Sequence, residues 1–367
     1  MEQVACVMRR VEDCTKRRRR APLRLAAAGV LVLFVSAGPA VPQQVPATAD
    51  IVNREIVPRL EALSLATLRL QNAVVRHCTI ADATTMDGVE EAFAGVVIAL
   101  ASVEPFAYAF GGQRRITERF MTRIADTAFS RIRLGAMVTG SEEPPLTLAA
   151  LVAEEPALIG LPALAFLLFA PAQSGAEERR RCAMAEAVAA GLRERAHTRF
   201  MRWRTGAVPT HWADDSAPLA ERRRLRDLVQ GSIVAVDRLD RTVAAFDARP
   251  EGNDELPFST GGPNLLYIAA LMEALTRQVV WLKAFAEPGS EPRNVLIDVS
   301  ESLDLARSRF NHAVAEDEGL GDMRSVLGAA RLALFNRLPD AFDFDRRAFE
   351  TPLGAFADRN TVLTTNP

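Results

Sequence analysis

Apolar residues recur at intervals of three and four along most of this chain, the period of a helix with one buried face. The first stripe is Ile56, Leu60, Leu63, Thr67, Leu70 and Val74, and Cys78 continues it. Pro58 marks the start of its regular part, and Thr79 to Thr85 reads as a turn. Val89, Phe93, Val96, Val97, Leu100 and Val103 form a second stripe, ended by Pro105, with Gly111-Gly112 breaking the chain beyond it. A third helix is predicted over about Ile116 to Leu134, anchored by Phe120, Ile124 and Ile132, then a loop over Gly140 to Pro145 and a short helix over Leu146 to Ala153. Cys182, Ala185, Ala189, Leu192, Ala196, Phe200 and Trp203 mark the next helix, with Cys182 on its buried side.

The second half repeats the style. Leu225, Leu228, Ser232, Val236, Leu239, Val243 and Phe246 give the longest stripe, followed by a loop over Pro250 to Pro263. Leu265, Ile268, Met272, Leu275, Val279 and Leu282 mark a helix closed by Pro288-Gly289, and Leu296, Val299, Leu303, Ala306 and Phe310 another. The last helix runs from about Met323 to Leu338, and Phe342, Phe344, Phe349 and Phe356 pin the tail to the bundle. No segment sustains period-two alternation, so the predicted fold is all-α. It has two helical-bundle halves, 51–205 and 219–360, joined by the polar, proline-bearing stretch 206–218.

One stretch departs from amphipathic patterning. Ile159 to Phe169 is apolar throughout and opens with Gly160-Leu161-Pro162-Ala163-Leu164. Glycine permits close approach and proline suits a first helical turn, so a tight entry leads into a helix buried on all sides. It is too short to cross a bilayer, and reads as the central helix. Its entry could line a cleft between helices or serve only as a packing device.

The N-terminus changes the picture of charge. Basic residues up to Arg24, an apolar segment Leu25 to Val35 and small residues after it describe a secretory signal, residues 1–37, cut after Ala37, followed by a linker over 38–50. Met8 is an alternative start, and an uncleaved anchor is the competing reading of the segment. Without residues 1–37 the chain carries 36 basic and 43 acidic side chains, a net of −7, which argues against nucleic acid as a partner. The expected location is the periplasm, with no transmembrane segment left in the mature chain. Cys6 and Cys14 leave with the signal. Cys78 and Cys182 remain, and an even number in an exported protein suggests a disulfide, two buried free thiols being the alternative.

The run from Gly160 resembles the Gly-(Leu/Phe)-Pro-Ala-Leu-Glu-(Tyr/Phe)-Leu-Leu-Phe signature of imelysin-like proteins, classed as peptidase family M75. Arg181-Cys182 resembles the Arg-Cys that follows the family's central helix. Weaker likenesses lie at Leu70 to Cys78, Phe93 with Phe110-Gly111, Arg119-Phe120 with Asp126, Ser259 to Asn264, and Leu353-Gly354 with Asp358. In imelysin itself the central run carries a Gly-x-His-x-x-Glu motif, the family's proposed metal site. Here Pro162 stands at the histidine position and Ala165 at the glutamate position, so both implied ligands are missing.

Other chemistry is sparse. Catalytic zinc needs about three protein ligands, and the histidines are His77, His197, His211 and His312, with no His-Glu-x-x-His. Glu194 and His197 are predicted to face away from the core, as are His312 and Glu316; His77 reads as a surface or boundary residue. Arg179 to Arg181 and Arg222 to Arg224 lie beside acids and read as salt-bridged helix surface. No Gly-x-Ser-x-Gly or phosphate loop occurs. We therefore expect no catalytic residue, metal ligand or cofactor. The expected protein is a non-catalytic, imelysin-like binding protein. The resemblance implies a role in periplasmic iron uptake beside a periplasmic or outer-membrane partner. The alternatives are an M75 metallopeptidase and a structural envelope protein.

Overall fold

The computed structural model describes residues 48–80, 82–110, 128–140, 160–170, 174–208, 212, 219–248, 261–316, 318–345 and 349. The expectations for the signal, for Gly111-Gly112, for 116–127, for 141–159 and for residues 250–260 of the expected loop lie outside them; Gly261 to Pro263, expected at the end of that loop, are helical instead. Among the described residues there is no strand. The longer helices are α1 (Val57–Ile80), α2 (Ala83–Val103), α3 (Ala128–Thr139), α4 (Leu161–Phe169), α5 (Gly175–Arg204), α6 (Ala220–Ala248), α7 (Gly261–Ala284), α8 (Glu291–Glu316) and α9 (Gly321–Leu332); single turns lie at Thr48–Ile51 and Leu338–Ala341. A 3-10 helix, Glu104–Phe110, prolongs α2. The part of the third predicted helix that is described continues to Thr139, past the expected end at Leu134.

The stripes become the core. Leu60, Leu63, Leu70 and Val74 of α1 are buried, as are Val89, Phe93, Val96, Val97 and Leu100 of α2. So are Leu228, Val236, Leu239 and Val243 of α6, Leu271, Leu275 and Val279 of α7, and Leu296, Val299, Leu303 and Phe310 of α8. Each such side chain contributes about 1.5–3 kcal/mol through removal from water. Helix α1 packs on both α2 and α5, and α2 packs on α7. Helix α6 packs on the 3-10 helix, α7 and α9, and α8 packs on α7 and α9. Helices on either side of the 206–218 stretch therefore touch, within one compact unit, Val45–Pro367. Trp212, inside that stretch, is itself buried; its indole donates to Asp227 at 3.1 Å and its ring lies 6.0 Å from that of Trp203. Among the described residues two helices, Ala83–Ala109 and Gly262–Ala284, are long and apolar enough to cross a membrane; their most apolar windows are 61% and 50% buried inside the fold.

All but two of the chain's 44 basic residues are arginine, and the fold uses their forked donors at helix ends, where carbonyls lack intrahelical partners. Arg59 donates to the Ser102 carbonyl near the end of α2, and Arg293 to the Lys283 and Ala286 carbonyls closing α7. Arg180 donates to the Val138 carbonyl in the last turn of α3.

Two wide turns interrupt helical geometry, each just before an X-Pro pair. In Val52–Ile56 the Val57 N–H reaches back to Val52, and Pro58 follows. In Ala333–Arg337 the Leu338 N–H reaches back to Ala333, and Pro339 follows. Proline offers no N–H and crowds the carbonyl four residues earlier, and a five-residue turn accommodates both effects. Beyond it Phe344 packs 6.0 Å from Phe342 and 5.9 Å from Phe349, and the Arg222 guanidinium of α6 lies 5.4 Å from the Phe344 ring, a contact of the tail with the bundle; Phe356 lies outside the described residues.

Candidate functional site

The Gly160 entry forms as the sequence suggests. Gly160 is the N-cap of α4, with Pro162 in the first turn. Its backbone is extended, with φ −97°, so no left-handed conformation requires glycine there. Leu161, Pro162, Ala163, Leu164 and Ala165 are all buried. At the other end Phe169 meets Phe93 edge to face at 5.3 Å, a geometry favoured by ring quadrupoles.

The two most specific pieces of the family resemblance meet here. Arg181, in α5, donates to the carbonyl of Ala170, the C-cap of α4, and its guanidinium lies 5.3 Å from the centre of the Phe166 ring. Its charge is matched by Glu177, one turn earlier, at 2.8 Å. Arg181 and Glu177 are both buried, so the expectation that Arg179 to Arg181 form helix surface is corrected at Arg181. The reason is the unmet carbonyl at the end of α4, which attracts a donor into an apolar site. Cys182, the next residue, is bonded to Cys78 of α1, with Cα atoms 5.4 Å apart. The disulfide reading therefore holds over that of two free thiols. Ser64 near the start of α1 lies 3.4 Å from His197 near the end of α5, so the two helices run antiparallel.

The resemblance places the family's proposed ligands at Pro162 and Ala165. Neither side chain carries a donor atom for a cation, and both are buried. Glu194 and His197 are exposed, as predicted, and so are His312 and Glu316. His77 contacts the Thr85 hydroxyl at 3.0 Å, and His312 lies 3.9 Å from Glu318; His211 is outside the described residues. Among the described residues no group of three or more His, Cys, Asp or Glu side chains could hold a metal.

Sequence reasoning missed a buried ionic group. Glu104, between the apolar Val103 and Pro105, is buried and forms an ion pair with Arg238 of α6. The hydroxyl of Tyr267, in α7, donates to its other oxygen. Burial pushes the Glu104 carboxyl above its usual range, against the pull of Arg238. Burial first, and the neighbouring carboxylate second, hold the Tyr267 phenol well above its ordinary value. The group ties the 3-10 helix to α6 and α7. The only local signal was a charged residue set in an apolar run; its partners lie more than a hundred residues away. Arg224, expected on the surface, is also buried, while Arg222 is exposed and reaches Asp343 at 3.2 Å.

A solved structure shares this architecture. An imelysin-like protein from Psychrobacter arcticum superposes with a TM-score of 0.65 at 15% identity, covering 82% of this chain and 95% of that one. A structure described as an iron-regulated protein A precursor from Parabacteroides distasonis gives a TM-score of 0.45 at 12% identity, covering 86% of this chain and 97% of that one. No curated protein matches significantly. The imelysin family model, peptidase M75, matches residues 56–256, a little over half of the chain. With the helical fold and the Gly-Leu-Pro and Arg-Cys pieces joined in space, the chain belongs to the imelysin family.

Proposed function

We propose that this chain is an exported, non-catalytic imelysin-family protein that acts by binding, with a role in periplasmic iron uptake. The observation that carries the reading is the chemistry at α4. The framework of the family's motif is kept, while Pro162 and Ala165 stand where the resemblance places its ligands. Neither side chain can coordinate a metal or polarise a peptide carbonyl. Export is supported by the signal-like pattern of residues 1–37, and a Cys78–Cys182 disulfide suits an oxidising compartment. The iron role rests on family membership.

Three measurements test this. Cell fractionation should recover the mature chain with periplasmic proteins. Elemental analysis of the purified protein should find zinc and iron well below one per chain, with no peptidase activity. A pull-down from iron-starved cells should enrich envelope components of iron uptake. One tightly held zinc or iron per chain, lost on substitution of a histidine or glutamate, would restore the metallopeptidase reading.

A further inference from the structure

The end of the bundle where α5 stops and α6 starts carries a charge unlike that of the rest. Over residues 193–226 the chain has nine arginines and four acidic residues, a net of +5, while without residues 1–37 the whole carries −7. Trp212 draws the two helix ends together. Its ring lies 6.0 Å from that of Trp203, in the last turn of α5, and its indole donates to Asp227, in the second turn of α6, at 3.1 Å. Those three side chains are buried. The arginines beside them in sequence, Arg202, Arg204 and Arg226, are exposed.

Some of these charges already have partners. Arg222 is held by Asp343 at 3.2 Å, and Arg204 lies 5.7 Å from the centre of the Phe200 ring. Arg195, Arg199 and Arg224 are also engaged. Arg202, Arg223 and Arg226 form no ion pair among the described residues. Of the four acids, Glu194 and Glu221 are exposed, and Asp214 and Asp215 lie outside the described residues.

Apolar side chains stand among these guanidiniums. Leu219, immediately before α6, is 61% exposed. Its carbonyl accepts the Arg223 N–H at 3.1 Å, so it belongs to the first turn and shares a helix face with Arg222, Arg223 and Arg226. Met201 is also exposed and shares a face of α5 with Arg204. Phe200, Trp203 and Trp212 are buried, which leaves them no part in stacking with nucleic-acid bases. Exposed hydrocarbon ringed by arginine suits a bilayer with anionic headgroups, where the apolar groups enter the headgroup layer and the forked donors meet phosphate oxygens. We propose that this end of the bundle docks on an anionic lipid surface, with Leu219 and Met201 entering the headgroup layer and Arg202, Arg204, Arg223 and Arg226 holding lipid phosphates. The docking is independent of the role proposed above.

The test uses the chain from Gly38 onward, so that the basic and apolar residues of 1–37 take no part; Val45–Pro367 is one compact unit. Co-sedimentation is measured with vesicles of phosphatidylglycerol and phosphatidylcholine, and with vesicles of phosphatidylcholine alone. Binding is expected to the first and not to the second, with release as salt is raised. Arg223→Gln with Arg226→Gln should weaken it about tenfold, and Leu219→Ser severalfold. Melting temperatures should be retained, since all three side chains are exposed. Arg307→Gln, at an exposed site of α8, is the control and should bind as the parent does. If the double variant melts lower, Arg202→Gln decides instead, with a loss of about threefold. Equal binding to the neutral vesicles, unchanged affinity in the arginine variants, an equal loss in Arg307→Gln, or capture by heparin without capture by vesicles would overturn the assignment.

Discussion

Gly231 of α6 faces the carbonyl oxygen of Pro105 with no room for a methyl group between them. The obstacle is backbone, which cannot swing aside as a side chain can. Alanine would raise the helix propensity of α6 by about 1 kcal/mol, but its Cβ would overlap that oxygen. Gly231→Ala should therefore destabilise the protein by about 3 kcal/mol or more, read as a lower urea midpoint. At Gly88, where nothing lies within 4 Å, alanine should be neutral or stabilising.

The pair Cys78–Cys182 closes a loop with a sequence separation of 104. Cross-linking a loop of this size restricts the unfolded chain, typically for a gain of about 2–4 kcal/mol. Cys78→Ser with Cys182→Ser should cost that amount, and a reductant should lower the melting temperature of the parent but not of the double variant. An equal response of both would count against the bridge.

Removing the phenol hydroxyl should expose the cost of keeping Glu104 charged. In Tyr267→Phe the carboxylate loses a buried donor, a change worth about 1–3 kcal/mol. The sign with pH follows from the raised carboxyl. A carboxyl whose folded value lies above its unfolded value, about 4.3, favours the fold below that value and loses the contribution as pH rises through the folded one. The hydroxyl stabilises the charged form, so its loss should cost more at about pH 8 than at about pH 5. Urea titrations of both proteins at the two pH values measure the difference.

Asp82 gives the opposite slope. Its carboxylate caps α2, accepting the Thr85 N–H at 2.7 Å, and this backbone bond with that of the Thr85 side chain lowers its pKa. Stability from the cap is present above the unfolded value, about 3.9, and fades as pH falls through the folded one. Asp82→Asn retains a capping oxygen without the charge. Its melting temperature should fall less steeply than the parent's below about pH 4.

These cases mark what was legible in the sequence. Periodicity placed α1, α2 and α5 to α8, because an amphipathic stripe is a local property. Cys78 and Cys182, both continuing such stripes, did meet. Ends were harder: Met137 and Val138 continue α3 past Gly135, where the expected helix had already stopped. The Gly160 motif was legible as a buried helix entry, but not Arg181 closing the far end of the same helix. That contact depends on how α4 and α5 pack against each other, which composition does not encode. The ionic group was invisible for the same reason. Glu104, Arg238 and Tyr267 come from three elements, and their meeting is a consequence of tertiary packing.

The sulfur bridge also has a topological effect. It makes residues 78 to 182 a covalent ring, with α4 and its Gly-Leu-Pro entry strung inside it. A protease that cuts once anywhere within the ring opens a strand but releases nothing. In an enclosure rich in proteases, the nicked molecule remains one particle until a thiol separates its pieces.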